Sequence, residues 1–318
     1  MTTRRCLYCR KPFSEPALDD FHAACSRKFF GVTEPPLLPY TLGALHSLAQ
    51  QIVQRSITVT GVQPKLSLAF EKSVKGTPNR LTLLGVLGHF ILKPPHPDYP
   101  ALVANEHLTM QLASSFGLLT VPFSFIKLES GELAYITRRI DRLSDGTRLP
   151  MEDFCQLTER LTEYKYRASM EQIGKALRKF STSPGLDAVR LFEYTLFSFL
   201  TGNADMHLKN FSLITSSNGE INLTPAYDLV ATKLIVPNDT EEMALTLNGK
   251  KNRLTLSDFM VFAKNLELPE KTVENVFVQF QQKLAGTQTL IEQSELNKEG
   301  QLQFAGLIQE RAAKVQLA

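Results

Sequence analysis

"VRLFEYTLFSFL", residues 189–200, is apolar around nearly its whole circumference when wound as a helix. Such a helix has no face to offer water, so it must sit inside a core large enough to surround it. The adjoining segment is its opposite: "TGNADMHLKN" (201–210) sets two Asn, an Asp, a His and a Lys in one short run. A polar loop on the end of a buried helix has a rigid pedestal, the arrangement expected at a cleft. With 318 residues the chain can bury one large core or two lobes. Its 43% hydrophobic and 21% charged content is that of a globular protein, and a net charge of +3 is too mild to argue for nucleic acid. No apolar run is long enough to span a bilayer and no signal-peptide pattern opens the chain, so the expectation is a cytoplasmic protein with no membrane partner.

Three stretches differ in pattern. Residues 1–31 carry three of the four cysteines, and the fourth, Cys155, reads as a small packed hydrophobe. "TEPPLLPY" (33–40) reads as an extended connector, because its prolines hinder a helix. From 56 to 138 the pattern is strand-like: "SITVTGVQPKLSLAF" as two strands joined by a turn, "HFILKPP" as a short buried strand, and "PFSFIKLESGELAYITRRI" as a hairpin turning at "ESGE". One helix interrupts it, "ALVANEHLTMQLASSFG", with Gly117 at its stop. Later residues are expected to be mainly helical, at 151–180, 187–201, 256–265, 269–285 and 302–317, with a second hairpin around "TSSNGE". The fold the pattern implies is α+β: a small cysteine-bearing unit (1–31), a β-rich N-terminal lobe (32–138) and a helical C-terminal lobe (139–318).

Within the polar burst Asp205 and Asn210 are separated by four residues, and Asp228 comes after the second hairpin. Phosphoryl transfer from a nucleotide needs a carboxylate to orient and deprotonate the attacking hydroxyl, and oxygen ligands for Mg²⁺. Asp205 suits the first task, Asn210 and Asp228 the second. Taken alone, Asp205 and Asn210 could simply terminate the buried helix. The nucleotide end lies upstream: "TGVQPK" (Thr60, Gly61, Val62, Gln63, Pro64, Lys65) is a turn able to present backbone amides, Gln63 and Lys65 to phosphates, although it lacks the three glycines of the usual kinase loop. Lys93, on a short apolar strand, needs an anionic partner. ATP phosphate is one candidate and Glu106 another, unless Glu106 is a solvated helix-surface residue.

"SITVTGVQPKLSL", "HFILKPP", "NEH", "TRRIDR", "GNADMHLKNFSL" and "PAYDL" stand in one order across residues 50–260 and resemble the HipA-type toxin kinases of bacteria, the compact HipT branch in particular. The resemblance implies an ATP- and Mg²⁺-dependent serine/threonine kinase on a phosphatidylinositol-kinase-like fold, phosphorylating an aminoacyl-tRNA synthetase. It also implies a HipB-like DNA-binding antitoxin, a small HipS-like subunit, and contact with DNA only through the antitoxin. By resemblance, Thr60 to Lys65 form the phosphate loop, Lys93 is the nucleotide lysine and Arg138, Arg139 and Ile140 the adenine hinge. Arg138 stands where HipA is acidic. Asp205 is then catalytic, and His207, Asn210, Tyr227 and Asp228 contact nucleotide or metal. Ser56 and Thr58 fall where the family carries autophosphorylated hydroxyls, and a phosphate there would add about −1.5 to −2 charges beside the loop. The alternation equally allows two plain strand hydroxyls.

Cys6, Cys9, His22 and Cys25 give C-x2-C-x12-H-x2-C, three thiolates and an imidazole with the paired spacing of a tetrahedral Zn²⁺ site. So small a unit would draw its folding energy largely from the metal. Two other readings compete with a toxin kinase: a non-catalytic zinc-containing adaptor for DNA or protein, and a small-molecule kinase on a related fold.

Overall fold

A computed structural model of the chain describes residues 4–13, 20–55, 64–72, 78–84, 88–143 and 145–317. The chain divides into two compact units, one of residues 1–103 and 121–140, the other of residues 104–120 and 141–318. Both units contain helices and strands, so the chain is α+β, as expected.

The first unit is built on an antiparallel sheet of order β2-β1-β3-β5-β4, formed by β1 (Leu66–Glu71), β2 (Arg80–Leu83), β3 (Phe90–Lys93), β4 (Phe123–Lys127) and β5 (Leu133–Arg138). Register obeys the apolar alternation: Leu68 faces Phe90, Leu66 faces Leu92, and Leu92 faces Ile136, all of them buried. Such matched pairs on one face hold the strands against a one-residue slip. The β4–β5 hairpin turns where "ESGE" predicts, at Gly131 with φ +100°, a conformation that favours glycine.

Two helices precede the sheet. α1 (Ala23–Phe30) ends at Gly31, whose left-handed φ of +83° lets its N–H reach the Arg27 carbonyl at 3.0 Å. α2 (Leu42–Arg55) is an addition to the sequence reading, which assigns nothing there although Leu42, Leu45, Leu48 and Ile52 recur near helical spacing. The connector between them is extended and joins the sheet: Leu37 bridges Arg80 in parallel, with N–H to O bonds of 2.9 Å to Asn79 and from Leu81. The expected two strands over 56–70 are described only from residue 64, where β1 forms.

In the second unit, α3 (Leu102–Phe116) stops at Gly117, φ +92°, where a Cβ would meet the Gln279 amide at 2.7 Å. The stretch 151–180 is not one helix. Met151–Asp153 is a strand, β6; then come α4 (Phe154–Leu157), a 3₁₀ turn at Thr162–Tyr164 and α5 (Met170–Phe180). Two capping boxes divide it, Asp153 with Gln156 and Ser169 with Gln172, each satisfying orphan N–H groups at a helix start. β6 pairs with β7 (Ser212–Thr215), which pairs with β8 (Ile221–Leu223) across the Asn-Gly turn. Between lies α6 (Pro184–Leu200), in which Leu191, Phe192, Leu196, Phe197 and Phe199 are fully buried. Phe197 meets Phe116, Phe192 stacks near Phe262, and Phe199 meets Phe259. α6 is thus enclosed by α3 and α8 (Leu256–Asn265). The short α7 (Thr232–Ile235), then α9 (Glu270–Leu284), α10 (Thr287–Glu292) and α11 (Lys298–Lys314) complete the unit.

Candidate active site

The polar loop begins where α6 ends. Gly202 has φ +65°, and a Cβ there would meet Leu307 at 2.7 Å and Lys233 at 3.0 Å, so backbone conformation and space both demand glycine. Asn203, buried, accepts from the Asp205 N–H at 3.1 Å. Asn210 closes the loop by donating Nδ2–H to the Asp205 carbonyl at 2.8 Å, while the His207 N–H donates to the same oxygen at 2.8 Å. With its nitrogen so used, the Asn210 side chain has its oxygen to offer a cation. The same turn leaves the Asp205 side chain 49% exposed, although His207 and Asn210 are only 5% exposed. One carboxylate is therefore presented at the surface by a loop that is otherwise packed.

His207 lies with Nε2 at 3.8 Å from Asp205 Oδ1. Burial pushes its pKa down to about 4 against the pull of Asp205, with Lys165 adding to the fall and Asp228 opposing it, so the imidazole is neutral at pH 7. Its Nδ1 and the Asn203 amide nitrogen are buried without a hydrogen-bond partner among the described residues, the condition of groups that a bound ligand completes. The Tyr166 hydroxyl donates to Asp205 Oδ1, and its ring meets the His207 imidazole edge-on at 5.0 Å. Burial, and then Asp205, push the Tyr166 hydroxyl well above the usual phenol range. A backbone bond from Leu208 N–H to the Lys165 carbonyl, 3.2 Å, ties the Tyr166 segment to the loop.

Asp228 adopts a left-handed backbone, φ +60°, which is rare for a residue with a side chain and is held only where the surroundings impose it. They do so on both sides. Tyr227 donates its hydroxyl to the Lys209 carbonyl at 3.1 Å and shares a hydrogen bond with Ser212 at 2.7 Å. On the other side Asn105, fully buried on α3, holds the backbone of Ala231 at both ends: Nδ2–H to its carbonyl at 3.0 Å, and Oδ1 from its N–H at 2.8 Å. Thr232 adds a link to the loop, accepting from Ala204 N–H at 2.8 Å and donating to the Gly202 carbonyl at 3.1 Å. An amide oxygen and a carboxylate, both hard donors, fit Mg²⁺.

Of the residues expected on the nucleotide side, Lys93 is buried at the end of β3, its ammonium 5.5 Å from the Tyr135 ring centroid. Lys65 is exposed. The hinge residues Arg138 and Arg139 already donate their N–H groups, to the Pro122 and His89 carbonyls at 2.9 and 2.8 Å, and Ile140 ends the first unit. Glu106 is 1% exposed, so it is not a solvated surface residue. Thr60, Gly61, Val62, Gln63, Ser56 and Thr58 lie outside the described residues. Sequence reasoning missed Tyr166, Thr232 and the purpose of Asn105, although Asn105 opens the quoted "NEH". At the other end of the chain, Cys6, Cys9, His22 and Cys25 bring their ligand atoms within 4.8 Å of one another, a cluster compatible with zinc.

Residues 57–287 match the family model of the HipA-like C-terminal domain. The chain belongs to that family. It is 32% identical over 229 residues to "Putative kinase Y4dM" of Sinorhizobium fredii, covering 68% of this chain and 55% of that one. It is 25% identical over 234 residues to the serine/threonine-protein kinase toxin HipA of Shewanella oneidensis, covering 67% of this chain and 52% of that one. The chain spans about half the length of these relatives. Among solved structures, HipA of Shewanella oneidensis, in complex with HipB and operator DNA, superposes with a TM-score of 0.63 at 21% identity, over 84% of this chain and 70% of that one. The proinflammatory kinase CtkA of Helicobacter pylori superposes at 0.54 and 14% identity, over 74% and 91%. The fold is that of HipA-like kinases. Among the described residues no helix is long and apolar enough to cross a membrane.

Proposed function

We propose that this chain is an ATP- and Mg²⁺-dependent protein serine/threonine kinase, a toxin of HipA/HipT type acting in the cytoplasm. The observation that carries the reading is the loop itself, in which Asn210 closes on the Asp205 backbone and so exposes the Asp205 carboxylate, with Asp228 held in a left-handed turn. Asp205 accepts the proton of the substrate hydroxyl as its oxygen attacks the γ-phosphorus of ATP and ADP departs. Asn210 Oδ1 and the Asp228 carboxylate would hold Mg²⁺, which when bound would supply positive charge to the phosphates. His207, neutral at pH 7, adds no charge beside Asp205. Lys93 and the loop from Thr60 to Lys65 receive the phosphates, and the hinge Arg138 to Ile140 borders the adenine. Zinc at the Cys3His cluster completes the cofactors.

The substrate in this reading is an aminoacyl-tRNA synthetase, with a HipB-like antitoxin and a HipS-like subunit as partners; the neighbouring HipA structure, a complex with HipB and operator DNA, supports the antitoxin. Self-phosphorylation at Ser56 or Thr58 would set a dianion beside the phosphate loop and oppose ATP. Radiolabelled ATP added to cell lysate with the purified chain tests the proposal. A labelled synthetase, absent with Asp205→Asn, is expected. Label in neither reaction would assign the chain to a non-catalytic adaptor instead, and label on a metabolite to a small-molecule kinase.

A further inference from the structure

The Cys3His cluster joins two pieces of backbone. Cys6 and Cys9 lie on a tight hairpin closed by an Arg5–Pro12 bridge, by Cys6 N–H to the Lys11 carbonyl at 3.0 Å and by Arg10 N–H to the Cys6 carbonyl at 2.9 Å. Arg10 takes the left-handed turn of this hairpin, φ +61°. His22 and Cys25 come from the start of α1, and the His22 N–H points at Cys6 Sγ, 3.5 Å away. His22 Nδ1 is 3.4 Å from Cys9 Sγ and 3.8 Å from Cys25 Sγ. Zn–S bonds of about 2.3 Å and Zn–N bonds of about 2.0 Å at tetrahedral angles place neighbouring donors roughly 3.5–3.8 Å apart. None of the three sulfurs is in a disulfide.

The cluster is fastened to the sheet of the first unit at two strands. On β4, Phe125 N–H donates to the Leu7 carbonyl at 3.2 Å, and Arg10 lies 5.2 Å over the Phe125 ring. Asp20, whose carbonyl accepts from Leu7 N–H at 2.9 Å, pairs with Lys127 at 3.0 Å. On β3, Phe29 and Phe30 of α1 set their rings 5.6 and 5.7 Å from Phe90, with Tyr8 and Phe21 packed behind them. Phe90 begins the strand that ends at Lys93. Among the described residues these aromatics are the main apolar side chains that hold the hairpin to α1, so a bound metal would add to the folding energy of so small a unit.

We propose that Cys6, Cys9, His22 and Cys25 bind one zinc ion, and that this ion is a structural part of the nucleotide-binding sheet, so that zinc loss loosens β3 and β4 and weakens ATP binding. The last clause rests on the kinase reading; the effect on the strands does not. Releasing zinc frees α1 from the hairpin, which withdraws Phe29 and Phe30 from Phe90 and the Leu7 carbonyl from Phe125. A detached finger would behave differently, unfolding alone and leaving the sheet as it was.

The test uses the full-length protein with zinc alone as the ligand. Elemental analysis should find about one zinc per chain in wild type and none in a Cys9→Ala/Cys25→Ala variant. Hydrogen exchange at the amides of Phe90–Lys93 and Phe123–Lys127 should quicken at least tenfold in that variant, and ATP affinity should drop at least tenfold. Because the variant could fail to fold, wild type is also stripped with a chelator and reloaded: protection should fall and then return with zinc. Protein free of zinc after purification from zinc-supplemented cells overturns the site. Zinc released with unchanged protection on β3 and β4 overturns the coupling. Should wild type bind no ATP, the kinase reading fails, while the exchange result still decides the coupling.

Discussion

Asn105→Ala removes one amide and strips both backbone groups of Ala231, three residues beyond Asp228, of their partners. Asn105 is fully buried, so neither group gains water in exchange. A buried backbone donor or acceptor left unsatisfied costs about 1–3 kcal/mol, which for two groups makes about 2–6 kcal/mol of lost stability. Asn105→Asp should do no better: it keeps an acceptor for the Ala231 N–H but turns an oxygen towards the Ala231 carbonyl. Urea unfolding should show this loss in the second unit. Exchange at the Ala231 amide should quicken at least tenfold, and phosphoryl transfer should fall because the turn at Asp228 loses an anchor. If Asn105→Ala unfolds within about 0.5 kcal/mol of wild type, a tolerance typical of surface substitutions, the clamp is not what holds this segment.

Two further outcomes concern the loop. His207 has its folded pKa lowered to about 4 by burial, below the unfolded value of about 6.5. The unfolded chain therefore binds a proton that the folded chain refuses, and stability falls as pH drops from about 6.5 towards 4, by up to about 3 kcal/mol. Urea unfolding at pH 7 and pH 5 should show a steeper loss in wild type than in His207→Gln, and equal slopes would contradict the assignment. Tyr166 donates to the Asp205 oxygen that, in the proposed mechanism, receives the substrate proton, so an acceptor hydroxyl would have to displace it. Tyr166→Phe should leave ATP affinity unchanged and lower the KM for the protein acceptor several-fold; a tenfold loss of kcat would instead make Tyr166 a participant.

The parts of this site that could be read in the sequence are those whose partners are close along the chain. Asn210 lies five residues from Asp205 and bonds its backbone, so their spacing carries the geometry directly. The cysteine pairs are legible in the same way. Asn105 meets Ala231 from 126 residues away, and Tyr166 meets Asp205 from 39; no local pattern encodes either contact. The 151–180 misreading has a local cause. Two Ser/Asp-x-x-Gln boxes are present there, but the apolar residues around them repeat at helical spacing and hide the β6 strand, which exists only because β7 lies beside it. The attachment of the cysteine hairpin and α1 to the sheet is hidden for a similar reason: no local pattern shows that Phe29 and Phe30 pack against Phe90, far along the chain.

Magnesium-dependent ATP binding, measured together with transfer on purified wild type, Asp228→Asn and Asp205→Asn, tests the central claim most directly. Asp228 is assigned to the metal and Asp205 to the acceptor, so the two variants should fail in different ways. Asp205→Asn should bind Mg²⁺–ATP as wild type does while transferring phosphate about 10²- to 10⁴-fold more slowly, the contribution of a general base. Asp228→Asn should lose the magnesium-dependent part of its ATP affinity along with transfer. Undiminished transfer by either variant, or unchanged magnesium-dependent binding by Asp228→Asn, would contradict the account.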